Sequence, residues 1–150
     1  MKKSINSFPF KLGLFFWLLL SGCADNKQDK GSENSIMNIK ANGFSLNVDL
    51  VDNSSTDKLI DILKQKSLVI EMKDYEHFEK VGDIGYDLPR NDEEITTGPG
   101  DVILFQGRYL VIYYGKNSWS FTRLGKINNT SRDELLKILG TGDVQVTLSI

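Results

Sequence analysis

Gly98-Pro99-Gly100-Asp101, then Val102-Ile103-Leu104-Phe105-Gln106, then Gly107-Arg108 and Tyr109-Leu110-Val111-Ile112-Tyr113-Tyr114-Gly115 form the stretch whose reading decides the fold. Two short runs rich in β-branched and aromatic residues, punctuated by glycine, read as neighbouring strands buried on both faces. The turn between them is placed at Gly107-Arg108. A pair of strands with no wet face sits at the centre of a β-rich domain, so its partners are sought on either side.

Upstream, Met37 to Ala41 and Phe44 to Leu50 flank Asn42-Gly43, a dipeptide suited to a type I′ turn because both central residues take positive φ. In the second arm Phe44, Leu46, Val48 and Leu50 alternate with polar residues, which predicts one buried face. Ser54-Ser55-Thr56-Asp57 supplies a helix start, with Asp57 three residues after Ser54 as in a capping box. Leu59, Ile60, Ile62 and Leu63 then share a helical stripe that ends near Lys66. Ser67 to Asp74 returns to strand chemistry, with Glu71 and Lys73 on one outer face. Tyr75 to Thr97 is polar, aromatic and glycine-bearing without sustained periodicity, and reads as a long functional loop.

Downstream, Ser118 to Leu124 alternates as a further strand, which Gly125 is expected to break. Ser131 and Glu134 form a second capping box, and Leu135, Leu136, Ile138 and Leu139 give its helix an apolar stripe that Gly140 and Gly142 stop. Val144, Val146, Leu148 and Ile150 alternate in a final strand. The fold class is mainly β, with seven or eight strands and two helices. A closed barrel suits that count because closure removes exposed edges.

Several punctuating stretches resemble those of the bacterial cyclophilin-like domain family. They are Glu79-Lys80-Val81-Gly82, Leu88-Pro89, Gly100-Asp101-Val102, Tyr113-Tyr114-Gly115 and Leu124-Gly125-Lys126-Ile127. The resemblance implies a closed cyclophilin-like β-barrel of about eight strands, capped by two helices, with a concave site on its outer wall. Prolyl isomerases of that fold polarise the proline amide with an arginine beside an apolar floor. Their Phe-His-Arg signature is missing here, and His77, the sole histidine, is not next to an arginine. Gln106-Gly107 echoes a pair in true cyclophilins, in different surroundings. No catalytic residue is therefore assigned, and the fold alone does not imply isomerase activity.

If the loop after Tyr75 folds beside the central strands, Glu79, Tyr86, Pro89, Phe105, Tyr113, Tyr114 and Arg123 gather at one cleft. An aromatic floor with one carboxylate and one guanidinium would orient a small molecule or peptide. The competing reading makes the tyrosines strand packing and Glu79 with Arg123 a structural ion pair. Asn91-Asp92-Glu93-Glu94 fits no calcium loop and reads as a solvated loop tip. His77 with Glu76 and Glu79 lacks the nitrogen or sulphur ligands of a zinc site, so no metal and no cofactor is expected.

The ends of the chain speak to address. Residues 1–22 carry a basic start, an apolar run from Leu12 to Leu20 too short to span a bilayer, and small residues Ser21 and Gly22, the layout of a signal peptide. Leu20-Ser21-Gly22-Cys23 resembles the bacterial lipobox, which makes Cys23, the only cysteine, the lipidation site. Two or three acyl chains hold stably where one holds weakly. Residues 23–35 lack large apolar side chains and form a tether, and residues 36–150 form the domain. Loss of the leader removes three lysines and leaves fifteen basic against twenty acidic residues, which argues against a nucleic-acid partner. The expected partners are a membrane, through the lipid, and a small molecule or peptide. The expected place is the bacterial cell envelope on the extracytoplasmic side. A divergent prolyl isomerase of the envelope is the alternative, and an interaction protein without a pocket is a third reading.

Overall fold

The computed structural model describes residues 35–150. The leader, Cys23 and nearly all of the tether lie outside the described residues. Nine strands and two helices follow in the order β1 (Ile36–Ala41), β2 (Phe44–Leu50), α1 (Ser54–Gln65), β3 (Leu68–Tyr75), β4 (Glu79–Asp83) and β5 (Glu93–Thr96). They continue with β6 (Asp101–Phe105), β7 (Tyr109–Tyr113), β8 (Ser118–Ile127), α2 (Arg132–Leu139) and β9 (Val144–Ser149). The sheet runs β2-β1-β9-β3-β4-β7-β6-β8, and β8 pairs back to β2, so eight antiparallel strands close a barrel. β5 is the ninth strand and pairs with the first half of β8 alone.

The opening stretch forms the paired central strands expected of it, with Val102 opposite Ile112 and Leu104 opposite Leu110. Its turn sits one residue earlier than expected: Gln106 and Gly107 take the positive φ values, 52° and 72°, and Arg108 N–H closes on Phe105. Gly100 fastens the open end of the pair and ties it to β8. Its N–H donates to the Tyr113 carbonyl at 2.8 Å and its carbonyl accepts from Ile127 at 2.8 Å. With φ at 89° and the Ile127 carbonyl where a Cβ would stand, only glycine fits there.

Asn42-Gly43 makes the expected hairpin with both residues at positive φ, although Phe44 is exposed while Leu46, Val48 and Leu50 are buried. The first helix begins differently. Asn53, not Ser54, is the cap: its Oδ1 accepts from the amides of Ser55 and Thr56 at 3.0 Å, and Thr56 Oγ1 accepts from the Asn53 amide at 3.1 Å. The Ser131–Glu134 box of α2 is as read. Both helices bury their leucines in the cluster that fills the barrel, among Val48, Ile70, Leu104, Ile112 and Val146.

Three further expectations fail. The stretch from Tyr75 to Thr97 is not one loop, since it contains β4, a full stave of the barrel, and β5. Glu93 and Glu94 consequently belong to a strand and not to a loop tip. Gly125 does not end its strand either. β8 runs through it to Ile127, because a Cβ at Gly125 would lie 2.5 Å from the Asp49 carbonyl where β8 closes on β2.

Candidate functional site

Strand parity builds the site. Along β7, Leu110 and Ile112 point into the barrel, while Val111 and Tyr113 point out. Ile103 on β6 and Phe121 on β8 share that outer side, and with Ile95 of β5 they form a second apolar cluster outside the barrel. Phe78, Val81 and Phe105 pack on its margin. The outer wall of four staves, β4, β7, β6 and β8, is thus apolar where a lone barrel would be wet.

A cavity of about 370 Å³ opens on this wall. Glu79 and Val81 of β4, Val111 and Tyr113 of β7, and Phe105 of β6 line it, with Phe121 and Trp119 of β8, Tyr75 and Asn117. Its floor is a ladder of rings. Tyr113 stacks on Phe78 at 6.2 Å and tilts against Phe121 at 5.9 Å, and Phe121 meets Phe105 edge-on at 6.1 Å. Such pairs add about 0.5–1.5 kcal/mol beyond area burial. Two large aromatics stand clear at the mouth: Trp119 is 62% exposed and Tyr75 54%.

Glu79 is the polar anchor. It is 8% exposed, the Tyr113 hydroxyl is its polar neighbour, and Oε2 has no partner. Burial pushes its carboxyl above the ordinary carboxylate range, the Tyr113 hydroxyl opposes that rise, and the nearby Glu76 charge adds to it. The same burial, with the Glu79 carboxylate beside it, pushes the Tyr113 phenol well above its ordinary value. Asn117 Nδ2 lies 3.4 Å from the Tyr113 hydroxyl on the other side.

Three of the seven candidates, Glu79, Phe105 and Tyr113, therefore meet at one cleft. The other four do not. Tyr114 points into the barrel, where its hydroxyl donates to Asp74 and its ring lies 5.5 Å from the Lys80 ammonium. Tyr86 packs half-buried on the main core with Lys66 over its ring. Pro89 lies over the start of α1, its carbonyl accepting from Ser55 Oγ at 2.6 Å. Arg123 pairs with Asp101 at 2.7 Å and not with Glu79, so the expected ion pair between those two is also absent.

Tyr75, Val81, Val111, Asn117, Trp119 and Phe121 were not among the candidates. Trp119 and Phe121 carried a usable signal, since they fall on one parity of a strand already legible as such. His77 is a surface side chain whose Nδ1 lies 3.1 Å from Asp74 Oδ2. Among the described residues no group of three or more metal-ligating side chains forms, and no helix is long and apolar enough to cross a membrane.

An antiparallel eight-stranded barrel with two helices and an aromatic cleft on its outer wall defines the class of small barrel domains. Residues 39–149 match the Cyclophilin-like family, and the chain belongs to it. No curated protein sequence matches the chain. Among solved structures it is similar to the solution structure of a hypothetical protein from Archaeoglobus fulgidus. The TM-score is 0.58 at 14% identity, over 77% of this chain and 94% of that one. At that identity the likeness concerns the fold alone.

Proposed function

We propose that this chain is a lipid-anchored envelope protein whose cyclophilin-like barrel binds a small molecule or an extended peptide in the outer-wall cleft, without catalysis. The observation that supports the binding role is the cleft itself: a floor of packed aromatic rings beneath two exposed aromatics, with a single carboxylate to fix orientation. The motive for the anchor is the lipobox around Cys23. The isomerase alternative needs an electrophile beside the bound amide. No basic side chain is among the lining residues, and the nearby guanidinium of Arg123 is engaged by Asp101.

Three measurements test the reading on the full chain. In its host, labelled palmitate is expected to enter the wild-type protein and not Cys23→Ala, and the variant is expected to leave the membrane fraction. Label that enters both forms, or a variant that still sediments, removes the anchor. For the cleft, a fragment and proline-peptide screen followed by NMR is expected to shift Trp119 and Phe121, with Phe105→Ser weakening each hit. Hits unaffected by that change would place binding elsewhere. Isomerisation of a proline peptide is expected to proceed at the buffer rate.

A further inference from the structure

Within the cleft the charge and hydrogen-bonding balance is one-sided. The lining residues include one carboxylate and no basic group. Tyr75, Tyr113 and Trp119 line the same cavity as that carboxylate, and their ring faces carry negative quadrupole potential that attracts cations. Glu79 is more than nine-tenths buried, and its Oε2 accepts no hydrogen bond from the protein. A buried carboxyl oxygen without a donor is costly, and among the described residues no group relieves it.

Resting on the cleft reading above, we propose that the ligand taken there is a cation: an amine or amidinium on an apolar or aromatic body. Its N–H would donate to Glu79 Oε2, and its body would lie on the Phe105–Phe121–Tyr113 floor between Tyr75 and Trp119. Anionic ligands are disfavoured by Glu79 and by Glu76 close by. Neutral apolar ligands would fill the floor and leave the carboxyl unanswered. A cavity of about 370 Å³ is near the lower end of ligand pockets, which suits a single ring with a short basic arm.

Cation binding is linked to protons. The groups facing Glu79 are the Tyr113 phenol from β7, Glu76 from the β3–β4 turn, and Tyr75 at the end of β3, with Tyr114 acting at longer range. Burial holds the Tyr113 and Tyr114 phenols further from ionisation than a free phenol, so Glu79 is the group that releases a proton on cation binding. Affinity for an amine rises with pH as Glu79 ionises.

The test is calorimetric titration of the full chain with phenethylamine and with 2-phenylethanol, a near-isosteric neutral probe. Wild type is expected to bind the amine about tenfold tighter than the alcohol, a difference of about 1.4 kcal/mol. Repeating the titration between pH 4.5 and 7 in two buffers of different ionisation enthalpy should show proton release with the amine alone. Glu79→Gln should bring the two affinities together and leave the alcohol unchanged. Trp119→Ser, at the exposed rim, should weaken both probes, the amine more because it also loses a ring face, and still leave the amine the tighter of the two, which guards against a Glu79 variant that folds poorly. Equal affinities in wild type overturn the cation assignment and leave the cleft reading standing. An amine preference that survives Glu79→Gln overturns the role of Glu79. Failure of both probes to bind overturns the cleft reading and this inference together.

Discussion

Lys80 is fully buried, and its ammonium is held by Asp74 Oδ1 at 2.6 Å and by the Gly142 carbonyl at 2.6 Å. Removing one partner of such a pair costs about 3–5 kcal/mol, because a buried charge is left uncompensated. Asp74→Ala is expected to fall in that range by urea unfolding, and Asp74→Leu with Lys80→Met together to recover most of it. A loss below 1 kcal/mol for the single change would show that the pair is not buried in solution. The pH dependence follows from two carboxyls of opposite sign. Burial acts to raise Asp74, but hydrogen bonds from Lys80 and Tyr114 and the charges of Lys80 and His77 outweigh it, so its folded value lies below the ordinary 3.8. Its stabilisation is present above 3.8 and is lost as pH falls through the lower, folded value. Glu79 lies above its ordinary 4.5, so the folded state holds its proton longer and stability falls as pH rises past 4.5. Glu79→Gln is therefore expected to gain on wild type in melting temperature between pH 4.5 and 7, and to match it near pH 4. A difference independent of pH would mean that Glu79 is not desolvated.

At the level of elements, the helix caps separate what local sequence settles from what tertiary contact settles. Four candidates for the α1 cap stand in a row from Asn53 to Thr56, all with cap-forming side chains. Asn53 takes the position because its Nδ2 also reaches the Arg123 carbonyl on β8 at 2.8 Å, a contact 70 residues away. Asn53→Ala is expected to cost about 1–2 kcal/mol and Ser54→Ala under 0.5, compared by urea midpoints; the reverse order would restore the serine cap. β4 was unreadable for a related reason. Strands are found by alternation, and in β4 the inward positions are Lys80 and Gly82 while the outward ones are Glu79 and Val81. Lys80 is buried because Asp74 answers it, and Gly82 because Ile70 and the Glu71 carbonyl leave no space for a Cβ. Neither cause is local. The site suffered the same limit at Tyr113-Tyr114: both tyrosines are buried, so hydropathy did not say which faced out, and a slip of one residue exchanges the faces. Phe105 was legible from the strand that carries it, whereas Tyr86, Pro89 and Arg123 were drawn in by residue type and belong to other contacts.

For the whole barrel, closure is the property on which the cleft depends, since β4, β7, β6 and β8 form a wall only while the ring is intact. The ladders differ in length: β1–β2 has six register pairs, whereas β2–β8 and β3–β4 have three each. The β2–β8 ladder carries a glycine at its tightest approach, Gly125 against the Asp49 carbonyl, and Gly82, one residue past the β3–β4 ladder, stands against Ile70. A side chain at Gly125 must push β8 from β2, and overpacking of this kind costs about 1–3 kcal/mol. Opening that seam creates two free edges and exposes the inner cluster along both, so no partly closed state is stable and the ring is lost as a unit. Gly125→Ala is accordingly expected to lower the urea midpoint with an unchanged slope, and to leave probe affinity in the cleft as it was below the transition. A second transition or a reduced slope would instead make β2 and β8 separable from the wall. The cleft would then rest on four strands that hold without the other half of the barrel.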